Sequence, residues 1–498
     1  MTKHKSDKLH FYGHNCFLTE TPSSVLITDP WFSNKGAFFG SWFQYPDNSN
    51  FKEDLLKKIK QKKSYVYITH EHQDHFDEET IREFIPNVTF LIPSFQDKYL
   101  ENKLKHLGSD VVTISDSELT QLNEDLQISV YISDIGVNHD SAILIKTNSF
   151  TFLNQNDCKI FDVIKSIDTK IDYYSVQYSG ASWHPVCYEN YSEKERVDIS
   201  NEKSQVKIKN VMNAIKTIKP KFYIPAAGPA IFPFLDLSLS SGKGNIFTHQ
   251  NKLHKCLSEN GITNIIYAKP GDEIIPKKGS SPISPPTQEQ LLNYQQNKFN
   301  YWEELDYQFN KDSLIKEINL RLEKIIDIPI QDLPLIIFNW GNDADEEIRI
   351  DLNKKKIVEN SDNPENFYRV HAEKKYFSLM HSGHRWQDIY LSLRAKVTRI
   401  PDEFNNLVNV FIFSDISNIK ESMLSCIDIP QERITIEGKD GHYEIDRYCP
   451  HNSGDLCQAD VNDNNEVVCP RHGWKFSLSN QGKVKSGMYS INAKKIIK

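Results

Sequence analysis

The sequence predicts an α/β protein that ends in a small all-β domain. Three observations support this: strands alternate with helical segments from about residue 8 to 278, a Gly-, Ser- and Pro-rich segment spans 277–287, and short strands with Gly and Asn turns begin near 425. Alternating strands and helices favour a layered α/β domain, and the Pro-rich segment is typical of a linker. The strands are expected at Ser24–Thr28, Ser64–Thr69, Ala142–Lys146 and Phe222–Ile224. Asp77 is expected to cap a helix over Glu78–Phe84.

Three domains are predicted: residues 1–278, a middle α+β region over 279–424, and a small β domain over 425–498. A chain of 498 residues agrees with this at roughly 150 residues per domain. Within the middle region, helical patterns run from Gln288 to Glu323, and strands are expected near Glu347–Leu352 and Lys356–Glu359.

Composition excludes several classes of function. Lys plus Arg is 59 and Asp plus Glu is 67, so the formal charge is −8, and without a basic stripe a nucleic-acid partner is not expected. No apolar run reaches the roughly 20 residues of a membrane helix, and no apolar stretch near the start suggests a signal sequence. The eight cysteines are too scattered for a disulfide framework, so a cytoplasmic location is expected.

The most specific motif lies near the C-terminal end. Cys449-Pro-His451 is followed, after 17 residues, by Cys469-Pro-Arg-His472. A Rieske 2Fe–2S cluster needs two Cys on one iron and two His on the other, so each of two facing loops supplies one of each. Two Cys and two His also suit zinc, but zinc sites usually pair like ligands. The motif, with Asp455-Leu456 and Trp474-Lys-Phe476 beside it, resembles the Rieske family.

The two loops also predict the type of cluster. High-potential Rieske proteins brace their loops with a disulfide, whereas here Cys457 has no counterpart in the second loop, where Pro470 and Arg471 stand. The pattern resembles the oxygenase and ferredoxin type, for which the lower half of the range from about −150 to +300 mV is expected. His451 and His472 are expected to be the exit for electrons. Because such a domain transfers electrons and performs no bond chemistry, it implies a second centre.

A second metal centre is predicted at Thr69-His70-Glu-His72-Gln-Asp74-His75, directly after a strand. This pattern resembles the metallo-β-lactamase superfamily, which implies an N-terminal αββα sandwich. The alternative is a solvated charged turn. The resemblance implies the following site residues, with Asp29 behind the loop and His14 in a supporting role: His70 and His72 on one metal, Asp74 and His75 on a second, His139 as the third His and Asp157 as a bridging carboxylate.

The chain departs from the superfamily at its last ligand. The usual final His is absent, because Ala226 and Ala227 stand in the matching stretch. His184 or His249 could substitute, but a lone His is more often structural. One iron or an unequal pair of irons is therefore expected, with zinc or manganese less favoured.

Both centres together resemble the CMP-N-acetylneuraminate hydroxylase family. The likeness is patchy and lies in the following segments: Ile68–His75, Ile143–Lys146, Asn156–Cys158, Ser179–Ser182, Tyr223–Gly228, Trp386–Arg394 and Arg399–Phe404. The animal enzyme carries its Rieske domain first, whereas this chain carries it last. The family inserts one oxygen atom into the N-acetyl methyl of a nucleotide-linked sialic acid, with electrons from a b-type cytochrome and its reductase.

The expected function is therefore a Rieske-dependent non-haem iron monooxygenase that uses O₂ and external electrons. The resemblance implies a small polar substrate, with the N-acyl group of a sugar or sugar nucleotide as the first choice. The electron donor is expected to be a ferredoxin, a b-type cytochrome or a flavin reductase. Two alternatives stay open: a hydrolase with a redox-sensing Rieske domain, and an electron-transfer protein with a degenerate metal site. The oligomeric state is also open.

Overall fold

The computed structural model describes residues 7–135, 137–275, 281–341, 343, 346–359, 364–457, 459–484 and 489–496. The chain forms two compact units. The first contains the residues up to Asp134, His139–Ser182 and Arg196–Leu305, and the second contains Ile135–Asn138, Trp183–Glu195 and the residues from Asp306 onward.

The first unit is built around two β-sheets and the helices that cover them. Up to Leu305, the strands are β1 Lys8–Phe11, β2 Phe17–Glu20, β3 Ser24–Thr28, β4 Lys63–Tyr67, β5 Thr89–Pro93, β6 Asp110–Ile114, β7 Leu119–Asn123, β8 Leu126–Ile135, β9 Asn138–Thr147, β10 Thr151–Asn154, β11 Tyr173–Gln177, β12 Phe222–Ala226 and β13 Asp272–Glu273. The helices are α1 Lys52–Ile59, α2 Glu78–Phe84, α3 Tyr99–His106, α4 Glu193–Ile218, α5 Gln250–Glu259, α6 Gln288–Asn297 and α7 Tyr301–Glu304. The sheet orders are β13-β1-β2-β3-β4-β5-β6 and β12-β11-β10-β9-β8-β7.

Side-chain alternation along the strands builds four layers. In β3, Leu26 joins the core that both sheets share, whereas Val25 and Ile27 join the core beneath α1, α2 and α3. This follows from the two-residue period of a strand. On the second sheet, α4 and α5 cover the outer face. The predicted helix–sheet–sheet–helix sandwich is therefore confirmed.

Parallel strands bring several functional segments to the ends of the sheets. β3 and β4 pair in parallel with Thr28 opposite Tyr67, so the residues that follow both strands leave the first sheet at one edge. In the second sheet, β10, β11 and β12 are also parallel. Ligand sites commonly lie beyond the carboxyl ends of such strands.

The predicted helix over Glu78–Phe84 is present as α2, but its capping differs from the prediction. Asp77 occupies the N-cap position and makes no side-chain capping hydrogen bond. Its carboxylate instead accepts from the backbone N–H groups of Phe32 and Ser33, at 3.0 and 2.9 Å, and from the Thr80 hydroxyl. Asp77 therefore connects the segment after β3, which contains Phe32 and Ser33, to the start of α2.

The second unit contains one mixed sheet and two small antiparallel sheets. Its elements are α8 Lys311–Lys324, β14 Leu335–Asn339, β15 Glu347–Asp351, β16 Lys356–Val358, β17 Phe367–His371, α9 Lys374–Met380, α10 Trp386–Leu391, β18 Lys396–Ile400, α11 Asn406–Phe413, α12 Ile419–Ile427, β19 Arg433–Gly438, β20 Gly441–Asp446, β21 Asp460–Val461, β22 Glu466–Val468, β23 Lys475–Ser477, β24 Lys483–Val484 and β25 Lys494–Lys495. The sheet orders are β16-β15-β14-β17-β18, β19-β20-β25 and β21-β22-β23-β24.

The division into three domains stays a prediction. Its first boundary, at 278/279, falls within residues 276–280, outside the described part of the chain. Among the residues that the structure describes, no helix is long and apolar enough to cross a membrane.

Candidate metal centre and cluster-binding loops

The loop after β4 is anchored on the buried carboxylate of Asp29, which follows β3. Asp29 accepts from the Thr69 backbone N–H at 2.8 Å, from the Thr69 hydroxyl at 2.7 Å and from the Asn15 amide at 2.6 Å. The Nδ1 atom of His75 lies 2.7 Å from the same carboxylate. This contact places the imidazole proton on Nδ1 and leaves the Nε2 lone pair of His75 as a metal ligand.

His75, His70 and Asp157 form the first group of candidate ligands. Their ligand atoms all lie within 4.8 Å of one another. The Nε2 atom of His75 is 3.4 Å from Asp157 Oδ1, and the Nε2 atom of His70 is 3.9 Å from Asp157 Oδ2. Asp157 Oδ1 is buried and has no hydrogen-bond partner among the described residues. Imidazole nitrogens and a carboxylate oxygen are ligands that suit iron, zinc or manganese, so this donor set fits a metal ion.

His72 extends this group. Its Nδ1 atom lies 2.9 Å from His70 Nε2, and the two rings meet edge to face with centroids 4.7 Å apart. Four of the six predicted metal-site residues therefore lie in or beside the first group, namely His70, His72, His75 and Asp157, and a fifth, Asp74, lies 3.9 Å from His75 Nε2.

Asp140 lies behind His70 in the same way that Asp29 lies behind His75. Its Oδ1 atom is 3.3 Å from His70 Nδ1, and the Thr69 hydroxyl is 3.0 Å from that nitrogen. A carboxylate behind a metal-binding imidazole fixes its orientation and raises its basicity. Sequence reasoning missed Asp140, although its place next to a predicted ligand in β9 was a usable signal.

The structure does not bring His139 to the other predicted ligands. Its Nδ1 atom contacts the Asp134 carboxylate and its Nε2 atom lies 3.7 Å from Asp97. Successive residues of a strand point to opposite faces. Because β9 turns Asp140 toward His70, it turns His139 away, and the predicted ligand role of His139 lacks geometric support.

His14, Asp74 and His75 form a second group, and His14 is a site residue for which only a supporting role was expected. The Nε2 atom of His14 lies 3.3 Å from His75 Nε2 and 3.3 Å from Asp74 Oδ2. The His14 backbone is left-handed, with φ of 45°. Its carbonyl accepts from the Ala227 N–H at 2.8 Å. The stretch that lacks the expected final His therefore holds His14 in place.

The two groups of candidate metal ligands share one ligand atom. His75 Nε2 belongs to both, and one nitrogen lone pair binds one ion. The arrangement therefore favours one ion or an unequal pair over two equivalent ions.

His184 and His249, the suggested substitutes for the missing ligand, are in neither group. His249 Nε2 hydrogen-bonds to the Ser240 carbonyl at 2.8 Å, and burial lowers its pKa to about 4. His184 Nε2 lies 3.1 Å from the Tyr191 hydroxyl. Both have hydrogen-bonding roles of their own.

Electrostatics at the metal centre favour bound positive charge. Burial alone would lower the pKa of His75, but the carboxylates of Asp157, Asp29 and Asp74 together outweigh it, and the pKa rises to about 9. Burial also opposes ionisation of Asp157, yet His75 and His70 bring its pKa down to about 2. The carboxylates therefore hold cationic imidazoles in the absence of metal, and a metal ion can replace those protons.

The two predicted cluster loops have the same backbone arrangement. In the first, the Cys449 N–H donates to the Gly454 carbonyl at 2.9 Å, and in the second the Cys469 N–H donates to the Trp474 carbonyl at 2.8 Å. Gly454 lies in a crowded position, since a Cβ atom there would lie only 3.0 Å from the Cys469 sulfur.

All four predicted cluster ligands converge. Cys449 and Cys469 are each 1% exposed, and their two sulfurs lie close enough to interact. His451 and His472 are half-buried, with ring centroids 4.5 Å apart. Two buried sulfurs and two more exposed imidazoles fit a cluster whose irons carry Cys and His separately.

Backbone N–H groups point at both sulfurs. Those of His451 and Asn452 donate to Cys449, and those of Arg471 and His472 donate to Cys469. Such donors stabilise thiolates and set the potential of iron–sulfur centres. Cys457 is exposed and free, in agreement with the absence of a bracing disulfide.

Comparisons with known proteins agree with these two sites. Residues 8–227 match the model of the β-lactamase superfamily domain, and residues 414–493 match the model of the Rieske [2Fe–2S] domain. The chain therefore combines an N-terminal metallo-β-lactamase fold with a C-terminal Rieske domain. The 2Fe–2S cofactor is confirmed, and the candidate metal centre supports a second, non-haem metal.

Similar proteins cover different shares of the chain. A putative Rieske 2Fe–2S iron–sulfur protein from Mycolicibacterium smegmatis is 24% identical and covers 94% of this chain and 96% of its own. Cytidine monophosphate-N-acetylneuraminic acid hydroxylase from Mus musculus is 19% identical over 44% of this chain and 39% of its own, which confirms the resemblance at low identity. The solved structure of CmlA, a diiron β-hydroxylase from Streptomyces venezuelae, is 15% identical, covers 54% of each chain and has a TM-score of 0.37.

Proposed function

We propose that the protein is a Rieske-dependent non-haem iron monooxygenase that hydroxylates a small polar substrate. The observation that carries the proposal is the presence of two candidate ligand sets in one chain. One is the group His70, His75 and Asp157, and the other is the set of two Cys and two His in the Rieske loops.

The requirement for electrons distinguishes this proposal from hydrolysis. A Rieske domain supplies single electrons, and metal-activated water that attacks an ester or amide consumes none. Oxygen insertion consumes two electrons from outside, since one oxygen atom of O₂ leaves as water. The pairing of the two domains therefore supports an oxidative reaction.

The residues of the metal centre have distinct roles. His70, His75 and Asp157 would hold the iron, which supplies the chemistry of O₂ activation when bound. Asp29 keeps a proton on His75 Nδ1, and Asp140 does the same at His70 Nδ1. His70 and His75 are at most 1% exposed, so these two imidazoles are shielded from water. The carboxylates behind them fix their orientation.

Electrons would leave the cluster through the half-buried imidazoles of the Rieske loops. His451 stacks on Trp474 with ring centroids 4.3 Å apart, and its carbonyl accepts from the Asn406 amide at 2.6 Å. These contacts fix the orientation of His451. The donor would be a ferredoxin, a b-type cytochrome or a flavin reductase.

The substrate class is proposed from the relatives. The murine relative is named for hydroxylation of a cytidine monophosphate-linked N-acetylneuraminic acid. An N-acyl group on a sugar or sugar nucleotide is therefore the first substrate to test.

A hydrolase is the second candidate, and one observation favours it. His14 and Asp74 offer a second metal position beside His75, and paired metals can activate water. In that case the Rieske domain would sense redox state.

Isotope labelling separates the two reactions. Metal-loaded protein with a reduced cluster is mixed with labelled O₂ and cytidine monophosphate-N-acetylneuraminic acid, and the product is analysed by mass spectrometry. The proposal expects one labelled oxygen atom in the product and no turnover without O₂. Turnover with an oxidised cluster under anaerobic conditions, with oxygen from solvent, would establish the hydrolase instead.

A further inference from the structure

A residue outside the two cluster loops contacts the backbone of the first loop. Asn406 begins α11, in the segment that precedes the predicted Rieske domain over 425–498. Its side-chain amide donates to the Pro450 carbonyl at 3.1 Å and to the His451 carbonyl at 2.6 Å. Because carbonyl oxygens only accept, the amide nitrogen of Asn406 is the atom that faces them, and its NH₂ group has two hydrogens to donate. One side chain therefore serves two consecutive carbonyls of the loop.

These two carbonyls belong to the peptide groups that face the Cys449 sulfur. The Pro450 carbonyl shares a planar peptide group with the His451 N–H, and the His451 carbonyl shares the next one with the Asn452 N–H. The Ser453 N–H closes the turn around them by donating to the Cys449 carbonyl at 2.8 Å. Within this turn, the N–H groups of His451 and Asn452 donate to the Cys449 sulfur.

A hydrogen bond to the oxygen of a peptide group strengthens the hydrogen bond that its N–H makes. Electron density drawn toward the oxygen leaves the N–H more positive, which is the cooperativity of hydrogen-bond chains. Asn406 is placed to strengthen both N–H donors to Cys449 in this way. The reduced cluster carries one more negative charge than the oxidised cluster, so stronger donors to sulfur favour reduction and raise the potential.

We propose that Asn406 is a positioning residue for the Rieske cluster, and that it raises the reduction potential by polarising the two peptide groups that donate to Cys449. A residue outside the loops thereby sets how readily the cluster accepts an electron. The inference depends on the bound cluster and not on the proposed oxygen insertion.

The backbone around Asn406 is held independently of the Asn406 side chain. Its N–H donates to the Tyr489 hydroxyl at 3.0 Å, and the side chain of Asn405 caps α11. Phe404 packs edge to face against His451 with ring centroids 4.7 Å apart. None of these contacts uses the Asn406 amide, so a substitution there should leave α11 beside the loop.

The alternative is that Asn406 only holds the loop in place. Its removal would then reduce the amount of bound cluster without changing the potential of the cluster that remains. Asn409 provides a matched control, because it lies in the same helix and its side-chain amide donates to the Asn405 carbonyl at 2.7 Å.

The test compares Asn406→Leu with Asn409→Leu in full-length protein that carries its cluster. Leu has nearly the shape of Asn and no donor. The potential is measured by EPR-monitored redox titration at a pH where it no longer varies with pH, so that protonation of the histidine ligands does not contribute. Cooperative strengthening is about 10–30% per bond, so over two charge-assisted bonds reduction of Asn406→Leu should be about two- to tenfold less favourable. A tenfold change corresponds to about 59 mV for a one-electron couple. Asn409→Leu should match the wild type.

If Asn406→Leu binds too little cluster for the titration, Asn406→Asp replaces it, with Asn409→Asp as the control for the added charge. A lower potential in the Asn406 variant than in its Asn409 counterpart supports the proposal, whatever reaction the metal centre performs. Equal potentials, or a lower cluster content at an unchanged potential, would overturn it. A product without labelled oxygen would count against the proposed function and not against the role of Asn406.

Discussion

The metal centre and the Rieske loops both collect four or more ligand side chains, but they are built differently. The Rieske ligands come from two short loops whose backbones bond in the same way, with N–H groups directed at Cys449 and Cys469. The candidate metal ligands follow strands of two different sheets, and the imidazoles of His70 and His75 contact carboxylates behind them. The cluster site therefore depends on local loop geometry, whereas the metal site depends on the register of the sheets and on buried charges.

Removal of a ligand from either site should have the largest effect and leave the other site intact. His70→Ala should lose the iron of the metal centre and at least about 100-fold of turnover, because it removes a ligand whose supporting groups alone contribute 10–100-fold. Iron analysis and EPR should show the Rieske signal unchanged. The reciprocal variant, Cys449→Ser, should lose that signal and keep the other metal. Loss of both centres in either variant would contradict their independence.

Gly454→Ala should break the cluster loops through space alone. The added Cβ atom would lie 3.0 Å from the Cys469 sulfur, so one of the loops must move. Overpacking of this kind costs about 1–3 kcal/mol, and we expect partial loss of acid-labile sulfide. Asn480→Ala, at an exposed position of the same β domain, serves as the control. Full cluster occupancy in Gly454→Ala would show that the loops tolerate displacement.

Asp140→Asn should weaken metal binding about 10–100-fold, because an amide cannot hold the proton on His70 as a carboxylate does. The matched control is Asp134→Asn, which changes the carboxylate that contacts His139. We expect metal affinity, measured by competition with a chelator, to fall in the first variant only. The opposite result would restore His139 as a ligand and remove Asp140 from the site.

The smallest expected effect concerns a histidine of the first unit that is outside both ligand groups. Burial lowers the pKa of His249 to about 4, so the unfolded chain binds a proton there more readily than the folded chain. Its contribution to stability is fully present above the unfolded pKa of about 6.5 and is lost as pH falls toward 4, by on the order of 1–3 kcal/mol. In urea unfolding experiments, the free energy of unfolding should fall more steeply with decreasing pH in the wild type than in His249→Gln. Parallel declines would assign no such role to His249.

The same contrast explains what could be predicted from sequence. The predicted cluster ligands Cys449, His451, Cys469 and His472 are contained in two short motifs, so they could be proposed from residue type and spacing. The loop from His70 to His75 is also a short motif, and its resemblance to the metallo-β-lactamase superfamily implied the αββα layers, whereas alternating strands indicated only a layered α/β domain. These motifs lie within short stretches of sequence, so they can be recognised without knowledge of the tertiary structure.

Long-range contacts could not be read in this way. Asp140 and His139 are neighbours in sequence, and only the face of β9 decides which one reaches His70. His14 reaches His75 because the Ala227 N–H holds its backbone, a contact between residues 213 positions apart (227 − 14). In the sequence His14 is an isolated histidine, so nothing favoured it over His184 or His249 as a candidate ligand.

The proposed monooxygenase function requires that electrons stored in the Rieske cluster are consumed at the metal centre. The most direct measurement is freeze-quench EPR of the reduced cluster after mixing with O₂ and substrate, in wild type and in His70→Ala. If the metal centre consumes these electrons, the reduced signal should be lost rapidly and only with substrate in the wild type, and slowly in His70→Ala. Equal rates in the two proteins would show that the cluster does not supply the metal centre.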